Sequence, residues 1–419
     1  MYELAERIFP ICRSITGKGL RKTLRTLQEH IPLVIHEVPS GTKVFDWTVP
    51  KEWNIKDAYI ITPEGKKIAE FKKNNLHVVG YSTPIDKEVS LAELEKHLCS
   101  FPEQPDAIPY VTSYYKAYWG FCLTHRERQS LKDGTYHVVV DSELKDGSLT
   151  YGEIIIPGSS KKEILLSTYV CHPSMANNEL SGPVVVAHIA KWIASAPRKY
   201  TYRIIFIPET IGSLSYLSKH LREMKENSIA GFNLTCVGDD RAFSYLPSRN
   251  GETRADKVAR RILRLRHPEF VTYSYLRDRG SDERQYCAPG IDLPVVSIMR
   301  TKYGIYPEYH TSLDDMNVIS PRGLQGAYDV LKECLEVIEA NPAYRATHFG
   351  EPQLGKRGLY PTLSRKGGVG YSTQTLLNVL AYSDGSNDKM AFMELLQISP
   401  QELQAALEAL LAAELIVEE

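Results

Sequence analysis

The 419-residue chain contains no CxxC pair, almost no net charge, no basic leader and no apolar run of the roughly 18 residues that spanning a bilayer requires. Each absence removes a class of protein. The seven cysteines are odd in number and scattered from Cys12 to Cys334, the pattern of reduced thiols rather than of a disulfide framework. A formal net charge of -1 gives neither nucleic acid nor an anionic lipid surface an electrostatic handle. The first residues, MYELAERIFPICRS, put acidic side chains where a secretory leader needs basic ones. The expectation is a soluble, cytoplasmic protein with no membrane and no nucleic-acid partner. What is present, 43% apolar and 24% charged residues, is ordinary for an enzyme. The length exceeds what one core organises, so two or three domains are expected.

Residues 1–31 have helical periodicity in two pieces, separated near Thr16-Gly17-Lys18-Gly19. From Gly41 the texture changes to short alternating strands with Pro-Glu-Gly as a hairpin turn, so residues 41–118 read as a small inserted β-rich domain. Its Trp47, Trp53, Tyr114 and Tyr115, with Trp119, either pack as a core or wall a cleft. The larger domain takes residues 1–40 and 119–342. After a helix near 121–131 and strands at 135–141 and 149–156, apolar strands at 164–170, 202–207, 231–237, 270–275 and 293–298 alternate with helices. That alternation predicts an α/β fold, a mainly parallel or mixed sheet with helices on both faces. Residues 343–370, rich in Gly, Pro and basic side chains, read as a linker. Residues 371–419 give three short helices and a terminal strand, the outline of a winged helix. Its third helix, 400–411, carries Gln401, Glu402, Gln404 and Glu408 but no Arg or Lys, which favours packing or protein contact over DNA reading. The insertion and the tail either restrict access to a cleft or build a homo-oligomer.

The chemistry gathers where apolar strands end, because ligands in open α/β sheets collect beyond the carboxyl ends of strands. The strand at 164–170 delivers His172, followed by Ser174, Asn177, Asn178 and Glu179 before an apolar helix at 180–193. The strand at 202–207 delivers Glu209, and the loop Pro307-Glu308-Tyr309-His310-Thr311-Ser312 supplies a second imidazole. Two imidazoles and a carboxylate on one crevice suit a metal site with a general base. Asp239 and Asp240, and the polar loop Gly280-Ser281-Asp282-Glu283-Arg284, lie on the same expected rim.

In order along the chain, the strand ending in CHPS, the Asn-x-Leu-Ser-Gly helix entrance, the Pro-Glu before Ile-Gly-Ser, and Ser-Asp-Glu…Gly-Ile-Asp-Leu-Pro…Tyr-His-Thr-Ser-x-Asp-Asp resemble the zinc aminopeptidases of the bacterial leucyl aminopeptidase type. That fold also hosts glutaminyl cyclase and the transferrin receptor. The inserted domain and tail resemble more closely a bacterial group of aminopeptidase-like proteins sometimes associated with polysaccharide biosynthesis. The resemblance implies a three-layer α/β/α architecture, His172 and His310 as metal ligands, Glu209 as general base and Tyr309 as oxyanion donor. Three acids usual in the family are replaced, by Asn178, Thr210 and Thr235, which argues for one metal or none. The preferred expectation is one zinc ion held by His172, His310 and an acid from Glu179 or Asp239. Asn178 and Asp282 would contact a peptide or amino-acid amide substrate, cleaved next to its free amino group. A single-zinc cyclase and a binding protein on a degenerate site are the alternatives.

Overall fold

The computed structural model describes residues 1–359 and 370–419. Eight strands form the main sheet: β1 (Val34–Pro39), β2 (Ser148–Ile156), β3 (Glu163–Tyr169), β4 (Thr201–Ile207), β5 (Ser228–Leu234), β6 (Ser244–Leu246), β7 (Val271–Thr272) and β8 (Val295–Met299). Their spatial order is β1-β2-β4-β3-β5-β8-β6-β7. The centre, β4-β3-β5-β8, is parallel, and the flanking pairs β1-β2, β2-β4 and β6-β8 are antiparallel. Every residue of β3 is buried, as a central strand covered on both faces must be.

Alternate side chains serve two cores. Ile164 and Leu166 of β3, with Tyr202, Ile204 and Phe206 of β4, join a cluster built with α1 (Tyr2–Ile8), α2 (Lys18–Gln28), α3 (Ser181–Ala194), and two later helices. Leu165, Tyr169, Ile205 and Ile207 point the other way, against α4 (Ile211–Asn227). The two later helices on the first face are α5 (Arg254–Arg266) and α6 (Pro321–Ala340). The result is a three-layer α/β/α sandwich. Both late helices are set by their starts: Thr253 and Asp256 form a capping box, and Ser320 caps Gly323 N–H with Pro321 in the first turn. No helix among the described residues is long and apolar enough to cross a membrane.

The small sheet has the order Lys67–Ile68, Glu52–Ile61, Thr135–Lys145, Ile85–Ser90. It needs a strand from beyond residue 118. The sequence reading gave residues 135–141 to the larger domain, whereas Thr135–Lys145 pairs along its length with the two strands of the insertion. Alternation reports one buried face and says nothing about which sheet buries it. The helix expected near 121–131 shrinks to His125–Gln129, started by the Thr124–Glu127 capping box.

In the tail, α7 (Thr373–Ala381), α8 (Lys389–Leu396) and α9 (Pro400–Ala412) precede a strand at Ile416–Glu418. That strand pairs with Tyr344–Ala346, and Tyr344 and Leu354 enter the tail's core beside Leu376, Phe392 and Leu407. Part of the stretch read as linker is therefore structural, because its two apolar anchors complete a core the three helices cannot close alone. Residues 360–369 of that linker lie outside the described residues.

Candidate metal centre

Neighbouring parallel strands bring the candidate groups together. Tyr169 of β3 is level with Ile207 of β4. Three residues past one and two past the other, His172 Nε2 lies 3.8 Å from Glu209 Oε2. The loop after β8 returns to the same edge, where the His310 ring centre is 5.5 Å from that of His172. The first turn of α3 can approach this edge because residue 182 is glycine. A Cβ there would sit 2.3 Å from Thr168 Oγ1 and 2.4 Å from the Leu234 carbonyl oxygen.

Behind His172 is a fully buried charge pair. Glu179 Oε2 accepts from the His172 backbone N–H at 2.9 Å and lies 3.0 Å from Nδ1. Arg13 Nε sits 2.9 Å from Glu179 Oε1, both side chains having no exposure. Its N–H groups are directed to the carbonyls of His172, Ile8 and Pro173 at 2.8, 2.7 and 3.1 Å. Burial alone would lower the His172 pKa, but Glu179 and Glu209 outweigh it and the net shift is upward. With Nδ1–H donated to Glu179, the neutral ring presents its lone pair on Nε2.

Cys171, His172 and Glu179 have potential ligand atoms within 4.8 Å of one another. Three features make this group the orienting side of His172 rather than an ion cradle. Burial pushes the Cys171 thiol well above its usual range and keeps it protonated. Arg13 already neutralises Glu179. The shared nitrogen, Nδ1, is the one bonded to Glu179.

His310 has the opposite character. Burial and the neighbouring His172 pull its pKa down to about 3, so it is a neutral imidazole, and its Nε2 is buried with no partner. Two imidazoles sharing one tetrahedral ion at about 2 Å per bond have ring centres about 5 Å apart. The 5.5 Å separation and the orphaned nitrogen fit that arrangement. Tyr309 stacks on His310 with ring centres 3.9 Å apart. Tyr110 of the inserted domain stands edge-on to both imidazoles, 5.2 Å from His172 and 5.0 Å from His310. Its segment is tied to the His310 loop by Tyr110 N–H to the His310 carbonyl and Ser312 N–H to the Ile108 carbonyl, 2.8 and 2.9 Å.

Glu209 is aimed by a strained turn. Thr210 adopts φ 63° and ψ -75°, and Ile211 N–H closes a γ-turn onto the Glu209 carbonyl at 2.8 Å. Asp282 Oδ1 holds the turn, accepting from Thr210 N–H and Ser213 Oγ, both at 2.8 Å. Burial and the nearby Glu209 push the Asp282 carboxyl up to about 7, and burial raises Glu209 as well, against the pull of His172 and Arg284. Glu209 keeps 23% of its side chain exposed, so water reaches it. Replacing Asp282 by Ala leaves a strained turn with two donors lacking their acceptor, an expected loss of about 1–3 kcal/mol. Urea denaturation checks this, and an unchanged midpoint would show that the turn holds itself.

Asp239 is engaged elsewhere, and Asn178 is engaged through its amide nitrogen only. The Asp239 carboxylate accepts from Asn177 Nδ2, Arg241 N–H, Thr301 N–H and Thr301 Oγ1, at 2.7 to 3.0 Å. It is a filled structural acceptor and offers no free lone pair to a metal. Asn178 donates Nδ2 to the Tyr169 hydroxyl at 2.6 Å, while its Oδ1 is buried without a partner. Sequence reasoning missed Arg13 and Tyr110, and it gave no role to Asp314, whose carboxylate receives the backbone N–H groups of Asn177 and Asn178 at 2.7 and 2.9 Å.

The chain is similar to known proteins over its whole length. A "Putative polysaccharide biosynthesis protein with aminopeptidase-like domain" from Clostridium acetobutylicum is 45% identical over 417 residues, 99% of this chain and 95% of its own. The crystal structure of a "putative peptidase" from the same organism matches with a TM-score of 0.82 and 45% identity, covering 100% of this chain and 96% of that one. BSAP, a zinc aminopeptidase from Bacillus subtilis, matches with a TM-score of 0.59 at 12% identity, covering 80% and 92%, which shows a common fold. Residues 342–418 match a family model described as winged helix-turn-helix. Residues 2–341 match the family described as "Domain of unknown function (DUF4910)", and the chain, aminopeptidase-like in fold with a winged-helix tail, belongs to it.

Proposed function

We propose that the protein is a one-zinc, aminopeptidase-like hydrolase that cleaves an amide or peptide bond next to a free amino group. The observation that carries this reading is the pair of imidazoles 5.5 Å apart with Glu209 Oε2 3.8 Å from His172 Nε2. His172 and His310 would hold the ion. When bound, zinc polarises the scissile carbonyl and acidifies water.

The chain's own residues do the rest. Glu179 fixes the His172 tautomer. Glu209 takes a proton from the attacking water and passes it to the leaving amine. The Tyr309 phenol, whose pKa burial holds above its usual range, stays protonated and donates to the carbonyl oxygen as it gains charge. Asn178 Oδ1, the buried acceptor without a partner, receives the substrate's amino group. Asp282 acts through the Glu209 turn rather than on substrate. One ion rather than two is favoured because the Glu179 charge is paired with Arg13 and its Oε2 is turned to His172, while Asp239 accepts from four donors.

Protein equilibrated with free zinc is expected to bind about one equivalent per chain on its two imidazoles. His172→Ala and His310→Ala should each lose it while keeping the wild-type far-UV spectrum. Wild type should release amine from a panel of aminoacyl anilides, and the metal-free variants should not. Wild-type protein that stays metal-free after reconstitution sinks the reading.

A further inference from the structure

A second cluster of charged side chains lies away from the candidate metal centre, on α5. Arg254, Lys257, Arg261 and Arg264 recur at spacings of three and four, so they form one stripe along that helix. The stripe lines a cavity of about 980 Å³ between the main sheet's helical layer and the winged-helix tail, a volume suited to a small ligand. Eight Lys and Arg residues line this cavity against four acids, and none of the metal-centre groups does.

Folding uses only part of that positive charge. Arg260 pairs with Glu252 at 2.9 Å and Arg261 with Asp388 at 3.2 Å. Lys162 and Arg345 share Glu419, at 3.3 and 2.7 Å. Four cations have no carboxylate partner among the described residues, and one of them, Lys225, donates Nζ to the Gly290 carbonyl at 2.6 Å. Lys257 Nζ donates to Ser386 Oγ at 3.0 Å and Asn387 Oδ1 at 2.6 Å, neutral groups of the tail. Arg254 donates to the carbonyls of Ile338 and Asn341, at 2.9 and 2.6 Å. Arg264 is exposed and has no hydrogen-bond or ion-pair partner among the described residues. The same cavity exposes apolar surface: Tyr382 and Leu395 from the tail are 48% and 47% exposed, and Leu265 is 70% exposed. A cationic surplus beside an exposed ring and two leucines calls for a ligand with an anionic end and a flat, weakly polar end.

We propose that this cavity binds a nucleoside diphosphate, its phosphates on Arg264 and Lys257 and its base against Tyr382 and Leu395. Bound there, the ligand touches both the main domain and the tail and ties one to the other.

Calorimetric titration of the full-length protein at low salt tests this with ADP, UDP, pyrophosphate and adenosine as separate probes. At least one of the two nucleoside diphosphates is expected to bind saturably at one per chain, about tenfold or more tighter than pyrophosphate or adenosine. Arg264→Glu should weaken both that nucleotide and pyrophosphate by about tenfold or more, since it removes a charge-assisted contact and adds a repulsion. Tyr382→Ala should weaken the nucleotide alone. Both side chains are exposed, and an unchanged melting temperature without ligand verifies that the variants fold. Absence of saturable binding by either nucleotide overturns the proposal, as does an Arg264→Glu affinity equal to wild type. Pyrophosphate binding as tightly as the nucleotides overturns the nucleoside half of it. A twelve-base single-stranded oligonucleotide binding more tightly than either diphosphate would instead assign the cleft to nucleic acid.

Discussion

Arg13→Met is expected to destabilise the protein by about 3–5 kcal/mol, the range for removing one member of a buried ion pair. The guanidinium has no exposure and neither does Glu179. Methionine fills much of the volume, so the loss is not mainly a cavity effect. It comes from a carboxylate left in an apolar interior and from three carbonyls, of Ile8, His172 and Pro173, stripped of their donors. The charge on Glu179 must then be protonated or hydrated, and either route loosens the loop that presents His172. Urea denaturation gives the stability, and the double variant Arg13→Met with Glu179→Gln separates the two causes. If the unpaired charge dominates, the second substitution restores part of the loss, so the two effects are not additive. If Arg13→Met costs under about 1 kcal/mol, solvent reaches Glu179 and the ion pair does not set the His172 loop. Zinc affinity should fall with stability, since the residue that fixes the His172 tautomer depends on Arg13.

That dependence was not legible in the sequence, and the reason is physical. His172 and Glu209 could be found locally, because each ends an apolar β-branched run and parallel strands deliver their carboxyl ends to one edge. His310 could be found because a Tyr-His-Thr-Ser loop precedes a capped helix. Arg13 lies 159 residues from His172 in sequence, and its partners are a carboxylate and three carbonyls drawn from two separate stretches. Only its company hinted at burial, a lone cation in the apolar stretch from Ile11 to Ile15. Tyr110 was invisible for a related reason: it reaches the site through the bridge between Pro109 and Thr311, a pairing between two loops with no strand periodicity. Asp239 shows the converse. It follows the strand β5 as a ligand would, and nothing local reveals that Asn177, Arg241 and Thr301 fill its lone pairs. The strand Thr135–Lys145 was seen as a strand and given to the wrong sheet, since a period of two fixes a face and leaves the partner open.

Glu209→Gln is expected to lower kcat by about 10²- to 10⁴-fold, the usual contribution of a positioned general base, with zinc content unchanged. The substitution keeps the shape and removes only the basic oxygen 3.8 Å from His172 Nε2. Nearby groups are poor substitutes for it. Asp282 turns Oδ1 to Thr210 and Ser213, and the Glu179 carboxylate lies behind the imidazole on the Nδ1 side. Cys171 is held protonated by burial. Because the amide still fills the turn at Thr210, KM should change little, and the loss should fall on the step in which a proton moves. His172→Ala is expected to fail in a different way, losing the ion and activity together. A Glu209→Gln enzyme that keeps its zinc and retains more than about a tenth of wild-type kcat would remove the base from the mechanism. The imidazole pair would then be a binding centre, and the catalytic assignment would pass from Glu209 to whichever group Tyr309 and the ion position without it.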